Sequence, residues 1–70
     1  MWKVRMNKQR STWHYFTTNP QDGGFGSNYC GSKRVALKLA TRNIPIGEIY
    51  SLEVNYEQQG EFTRGQEYQI

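Results

Sequence analysis

The stretch NPQDGGFGSNYCGSK, residues 19–33, decides how this chain is read. It separates an aromatic, β-branched run from a helical pattern, and it contains Gly23, Gly24, Gly26 and Gly31. Gly26 and Gly31 have the spacing of the phosphate-binding motif G-x-x-x-x-G-K-[ST], but Ser32 precedes Lys33 where the motif has the opposite order. The context excludes a nucleotide fold. A phosphate-binding loop follows a buried parallel strand, whereas Asn-Pro-Gln-Asp-Gly-Gly precedes this one, and 70 residues are too few for repeated βαβ units. A dinucleotide-binding pattern fails as well, because Tyr29 stands where a third glycine is needed. The glycine density argues against a regular element, so residues 19–31 are expected to form a long loop.

Upstream, Trp2, Val4 and Met6 alternate with Lys3 and Arg5, the pattern of a half-buried strand. Residues 7–11, NKQRS, are polar and read as a hairpin loop. Residues 12–18, TWHYFTT, form a second strand with Trp13 and Tyr15 on one face and His14 and Phe16 on the other. Both faces therefore carry aromatic rings, and one is expected to meet something beyond the core.

Downstream, Ser32 is a favourable N-cap. Val35, Ala36, Leu39 and Ala40 fall on one helical arc with Asn43 beneath, and Arg34, Lys38, Thr41 and Arg42 on the opposite arc. Leu37 falls at the edge of the polar arc, toward solvent. Ile44-Pro45 ends the helix, because a residue before proline avoids the α region. In residues 48–57, EIYSLEVNYE, the set Tyr50, Leu52, Val54 and Tyr56 points one way and Ser51, Glu53, Asn55 and Glu57 the other. Gln58-Gln59-Gly60 is expected to turn and residues 61–64 to return, with Tyr68 and Ile70 continuing the strand. The expectation is an α+β fold: one domain over residues 1–70, a small antiparallel sheet in the order β-β-α-β-β, and one helix packed on a face.

Two tryptophans, five tyrosines and three phenylalanines in a chain that is 36% hydrophobic place much of the available burial in rings. Part of that aromatic surface is left either for a partner or for ordinary exposure, as in any small domain. Cys30 is the single cysteine, so neither an internal disulfide nor a cysteine-based zinc site can form. That usage suits a reducing cytosol. No apolar run reaches the roughly 20 residues of a membrane span, and MWKVR at the start lacks the apolar stretch of a signal peptide. A cytoplasmic protein without membrane contact is expected.

Charge is unevenly distributed. Residues 1–43 hold eight basic residues against Asp22, a net +7. Residues 44–70 hold Arg64 against five glutamates, a net −4, which returns the chain's +3. One reading is a basic face for nucleic acid or an acidic protein, with a separate acidic face. The other is internal neutralisation by cross-strand pairs.

Catalytic chemistry finds no assembled set. His14 stands alone in an aromatic strand, and nothing in the sequence brings Cys30 to it as a nucleophile to a base. Glu53 and Glu57, on one strand face, are too far apart to act as a pair without a third element. No enzyme, cofactor or metal site is expected. Binding has more support. Arg34, Lys38 and Arg42 at i, i+4 and i+8 make a basic stripe that could track phosphates, the hairpin adds Lys8 and Arg10, and Tyr29 sits in the glycine-rich segment. Lys33 and Arg34 lie in the first helical turn, where the helix dipole disfavours each cation by roughly 0.3–1 kcal/mol. An anion at that end would offset the cost, and screening by salt is the plainer alternative. The expected contact set is Lys8, Arg10, Tyr29, Lys33, Arg34, Lys38 and Arg42, with Glu53 and Glu57 as a second surface.

Ser32-Lys33-Arg34-Val35-Ala36 resembles the start of the last helix of double-stranded RNA-binding domains, departing at Leu37 where that family has lysine. The first helix of that family is missing here, and the family lacks a strong strand like that at residues 48–57. Sheet-reading DNA-binding domains, like the N-terminal arms of phage integrases, show comparable departures. Across most of the chain, MWKVRM (1–6), SKRVALKLATRN (32–43) and EIYSLEVNYE (48–57) resemble in element order small phage-encoded anti-CRISPR proteins. That resemblance implies a compact α+β inhibitor without catalytic residues, which binds a host CRISPR effector complex and blocks its nucleic-acid channel or nuclease recruitment. The alternative is a stand-alone nucleic-acid-binding domain using the same helix and hairpin.

Overall fold

The computed structural model describes residues 1–21 and 23–66. It has the α+β architecture expected, with a five-stranded sheet and one helix on a face, in the order β1 (Trp2–Gln9), β2 (Thr12–Asn19), β3 (Gly23–Cys30), α1 (Lys33–Thr41), β4 (Ile49–Val54) and β5 (Glu57–Thr63). The spatial order of strands is β3-β2-β1-β4-β5. The expected continuation at Tyr68 and Ile70 lies outside the described residues.

Two features differ from the expected plan, and the first causes the second. The glycine-rich segment is not a long loop. Its residues 23–30 pair with β2 throughout, from Thr12↔Cys30 to Asn19↔Gly23. The Phe16 ring lies so close over Gly26 that a Cβ there would sit 2.8 Å from the ring edge. An aromatic neighbour thus covers a glycine that supplies no packing of its own. The P-loop-like spacing accordingly begins inside a strand.

Inserting one strand reverses the chain direction at the start of the helix. α1 carries the chain from β3, at one edge of the sheet, back along its length and past two strands to β4. β4 therefore begins where β1 begins, and the two pair in parallel, Trp2↔Tyr50 through Met6↔Val54. The sheet is mixed, not wholly antiparallel. A parallel neighbour requires such a crossover, which a hairpin cannot supply.

The alternation read in β1, β2 and β4 holds. Trp2, Val4, Met6, Trp13, Tyr15, Tyr50, Leu52 and Val54 are all buried on the helix side. The helix is rotated relative to the expected arc. Its buried residues are Ala36, Leu37, Ala40 and Thr41, joined by Ile44. Leu37 is 7% exposed, while Val35, expected inside, is 36% exposed, and Asn43 is exposed. Leu37 and Ile44, seven residues apart, share a face two turns on. Burying these two larger side chains outweighs burying Val35. Thr41 turns its hydroxyl back to the Leu37 carbonyl at 2.8 Å. The Thr17 hydroxyl, fully buried on β2, donates to the Ala40 carbonyl. Ser32 caps the helix as expected, accepting from the Val35 N–H at 3.3 Å.

The second hairpin turns earlier than expected. Asn55 and Tyr56 are its two loop residues, with φ of 51° and 68°, values that belong to a type I′ turn. Gln58 and Gln59 are strand residues, and β5 absorbs one extra residue in a bulge opposite Leu52 and Glu53. Tyr56, expected on the buried face of a longer strand, is 79% exposed. No helix among the described residues is long and apolar enough to cross a membrane.

Candidate functional site

Three chain reversals meet at one end of the sheet. β1 ends there in the two-residue turn Arg10-Ser11, in which Arg10 takes a positive φ of 59°. Because Thr12 pairs with Cys30, that turn lies beside the end of β3 and the start of the helix, with Cys30 Sγ 3.7 Å from Ser11 Oγ. The β4–β5 turn is tied to the same end of β1. The Asn55 N–H donates to the Met6 carbonyl at 2.8 Å, the Lys8 N–H to Asn55 Oδ1 at 2.9 Å, and Asn7 Nδ2 to the Tyr56 hydroxyl at 3.3 Å.

This arrangement gathers residues distant in sequence. Lys8 lies on the helix side of β1, its ammonium 5.9 Å from the centroid of the Trp13 ring, within reach of a cation–π attraction. Arg10 is at the tip. Lys33 and Arg34 open the helix, and Arg34, Lys38 and Arg42 run down its outer face, all exposed. Along the axis the last three span about 12 Å, comparable to the width of a major groove. The helix has no acidic residue in its first turn. The described acids, Glu48, Glu53, Glu57 and Glu61, are all on β4 and β5 or just before them. Glu57 is at the cationic end but on the outer strand β5, beyond β1 and β4. Glu48 is used internally, accepting from Trp2 Nε1 at 2.9 Å.

The opposite face of the sheet has the other charge character. No helix covers it. Arg5 stands opposite Glu53 in the β1–β4 register, and a shallow groove of about 560 Å³ is lined by Lys3, Arg5, Thr18, Ser51, Glu53 and Gln58. Here the cations of β1 stand beside a carboxylate of β4, whereas the helix side carries the exposed cations of β1 and α1 together with Glu57 of β5. His14 and Phe16 also lie here, Phe16 at 43% exposure, so the aromatic surplus noted in the second strand is a real surface feature.

The remaining expected contact residues are placed differently. Tyr29 is half-buried on the helix side of β3, packed against the core, with its ring folded over Gly31. Glu53 and Glu57 do not share a face. The turn at Asn55-Tyr56 puts them on different strands, Glu53 on the open face and Glu57 opposite Val54 on the helix side. Sequence reading missed Tyr56, a non-glycine residue in the left-handed region and almost fully exposed. The signal available was the Asn55-Tyr56 pair itself, since asparagine is among the residues that favour such turns.

No protein-family model matches this chain, and neither does any curated protein or solved structure.

Proposed function

We propose that this domain is a non-enzymatic docking module whose cationic end meets the phosphate backbone of a nucleic acid or a nucleoprotein complex. The observation that carries this reading is that Lys8 and Arg10 lie at the end of the sheet where Lys33 and Arg34 open the helix, with Lys38 and Arg42 leading away from that end along its outer face. Two segments more than twenty residues apart in sequence meet at one end of the sheet, and of the described acids Glu57 shares that end, on the outer strand β5. A field of one sign attracts a polyanion, and counterion release then supplies the binding free energy. Tyr56, at the same end, offers a ring for stacking against a base or a partner side chain.

The narrower form of the reading follows the anti-CRISPR resemblance: a phage-type inhibitor that docks on a host complex in the cytoplasm and occupies its nucleic-acid channel. A stand-alone nucleic-acid binder would use the same six cations. The test is fluorescence anisotropy with labelled duplex DNA, duplex RNA and single strands of each, over a series of salt concentrations. With about four to six phosphates contacted, log K should fall against log salt with a slope of about −3.6 to −5.4 on duplex DNA and about −2.8 to −4.2 on single strands. Absence of binding to all four probes at low salt would refute phosphate recognition and leave a protein surface as the target of these cations.

A further inference from the structure

The two edges of the sheet are built differently. At one edge, β5 is interrupted by a bulge and carries Glu57 and Glu61. Bulges and charges are devices that discourage an additional strand from pairing. The other edge is β3, which runs beside β2 for eight residues without a register shift. Its sequence, GGFGSNYC, holds no charge and no proline, and six of its eight residues are exposed. An edge that is long, regular and uncharged is a template for another strand.

We propose that β3 is a self-association edge, at which two copies of this chain pair β3 to β3 in antiparallel fashion and form one ten-stranded sheet. Charge permits a second copy as the occupant: each chain carries a net +3, and β3 is a segment along which two such chains can approach without opposing charges of the same sign. Register favours it. Phe25, Ser27 and Tyr29 stand opposite the buried Thr17, Tyr15 and Trp13, and so lie on the helix side. In a continuous sheet, facing residues must share a side. With Ser27 on the twofold axis, Phe25 faces the partner's Tyr29 and Tyr29 faces the partner's Phe25. Both rings are only half-buried in a single copy, and each would gain cover from the other.

The symmetry has a geometric consequence. A twofold axis relating antiparallel edge strands is perpendicular to the sheet, so both helices lie on the same side. Each helix packs chiefly over β2. Two β2 strands separated by two β3 strands are three spacings apart, about 14 Å. Packed helices lie about 8–10 Å apart, so the pair fits without collision and leaves a cleft floored by Phe25 and Tyr29 of both copies. Both basic stripes then face the same half-space. The dimer does not depend on the proposed function, and its test involves no nucleic acid.

The test uses the full chain in size-exclusion chromatography with light scattering. The expected mass is twice that of one chain. Ser27→Lys and Ser27→Glu each place like charges on the axis at an exposed edge, so both should run as monomers with an unchanged circular dichroism spectrum. Mixing the two in equal amounts should restore the doubled mass. In a Cys30→Ser background, Ser27→Cys should form an intermolecular disulfide under mild oxidation, since facing Cα atoms would be about 4.5–5.5 Å apart. A wild-type chain that stays monomeric at high concentration overturns the proposal. So does a doubled mass that survives Ser27→Lys, or a Lys/Glu mixture that remains monomeric.

Discussion

Leu37→Ala and Val35→Ala together measure which way the helix faces. Leu37 is 7% exposed and packs in the core, whereas Val35 is 36% exposed on the outer face near Lys38 and Arg42. Deleting a buried leucine side chain costs its transfer free energy plus a cavity term, together about 2–5 kcal/mol. At about 0.05–0.15 kcal/mol per residue, a chain of 70 residues has a total stability of roughly 3.5–10 kcal/mol. Leu37→Ala should therefore remove about a fifth or more of the folding free energy. Taking a central cost of about 3 kcal/mol, and about 4–8 °C per kcal/mol for a domain of this size, Tm should fall by roughly 12–24 °C. Val35→Ala deletes little buried area and replaces a β-branched residue by the best helix former, so the change should lie within about 0.5 kcal/mol of zero. Urea unfolding followed by the fluorescence of the buried Trp2 and Trp13 reads both variants. If Val35→Ala proves the more damaging, the helix faces the way its apolar arc first suggested and the rotation described above is wrong.

Three further outcomes are expected. Thr17→Val keeps the shape but removes the hydroxyl that donates to the Ala40 carbonyl. The Ile44 N–H goes instead to the Thr41 carbonyl, so a buried acceptor loses its partner at a cost of about 1–3 kcal/mol in thermal or chemical unfolding. Tyr56→Gly relieves a left-handed residue in a type I′ turn and forgoes an exposed 3.3 Å hydrogen bond. It should raise stability by about 0.5–1 kcal/mol, and a loss of similar size would show that the ring is anchored. Lys38→Ala with Arg42→Ala should change stability by no more than about 0.5 kcal/mol per site. The pair should also flatten the salt dependence of nucleic-acid binding by about two units of slope, so an unchanged slope would place the phosphates elsewhere.

The helix and three of the five strands were legible because their signals are local. Period-two alternation in residues 2–6, 12–18 and 48–54 is written in adjacent side chains, and Ser32 caps the helix through a contact three residues away. β3 was not legible, because glycines contribute no side-chain pattern. What makes it a strand is its pairing to β2 and the Phe16 ring over Gly26, both supplied from elsewhere in the chain. The type I′ turn was obscured by a related effect: alternation continued through Asn55 and Tyr56, so the pattern ran on where the backbone reversed.

From the sequence alone, then, came the class of the fold, the faces of its clearest strands, the start of its helix and the cations of its candidate surface. These depend on residues within one or two turns or pleats of each other. The tertiary structure decided the direction of β4, the rotation of α1 and the joining of Lys8 and Arg10 to Lys33 and Arg34 at the start of the helix. The direction of β4 and that joining follow from one non-local event, the docking of β3 on β2, and the rotation follows from burying Leu37 and Ile44 against the sheet. That docking sets the end of the sheet from which the helix departs, and with it where the remaining chain can go.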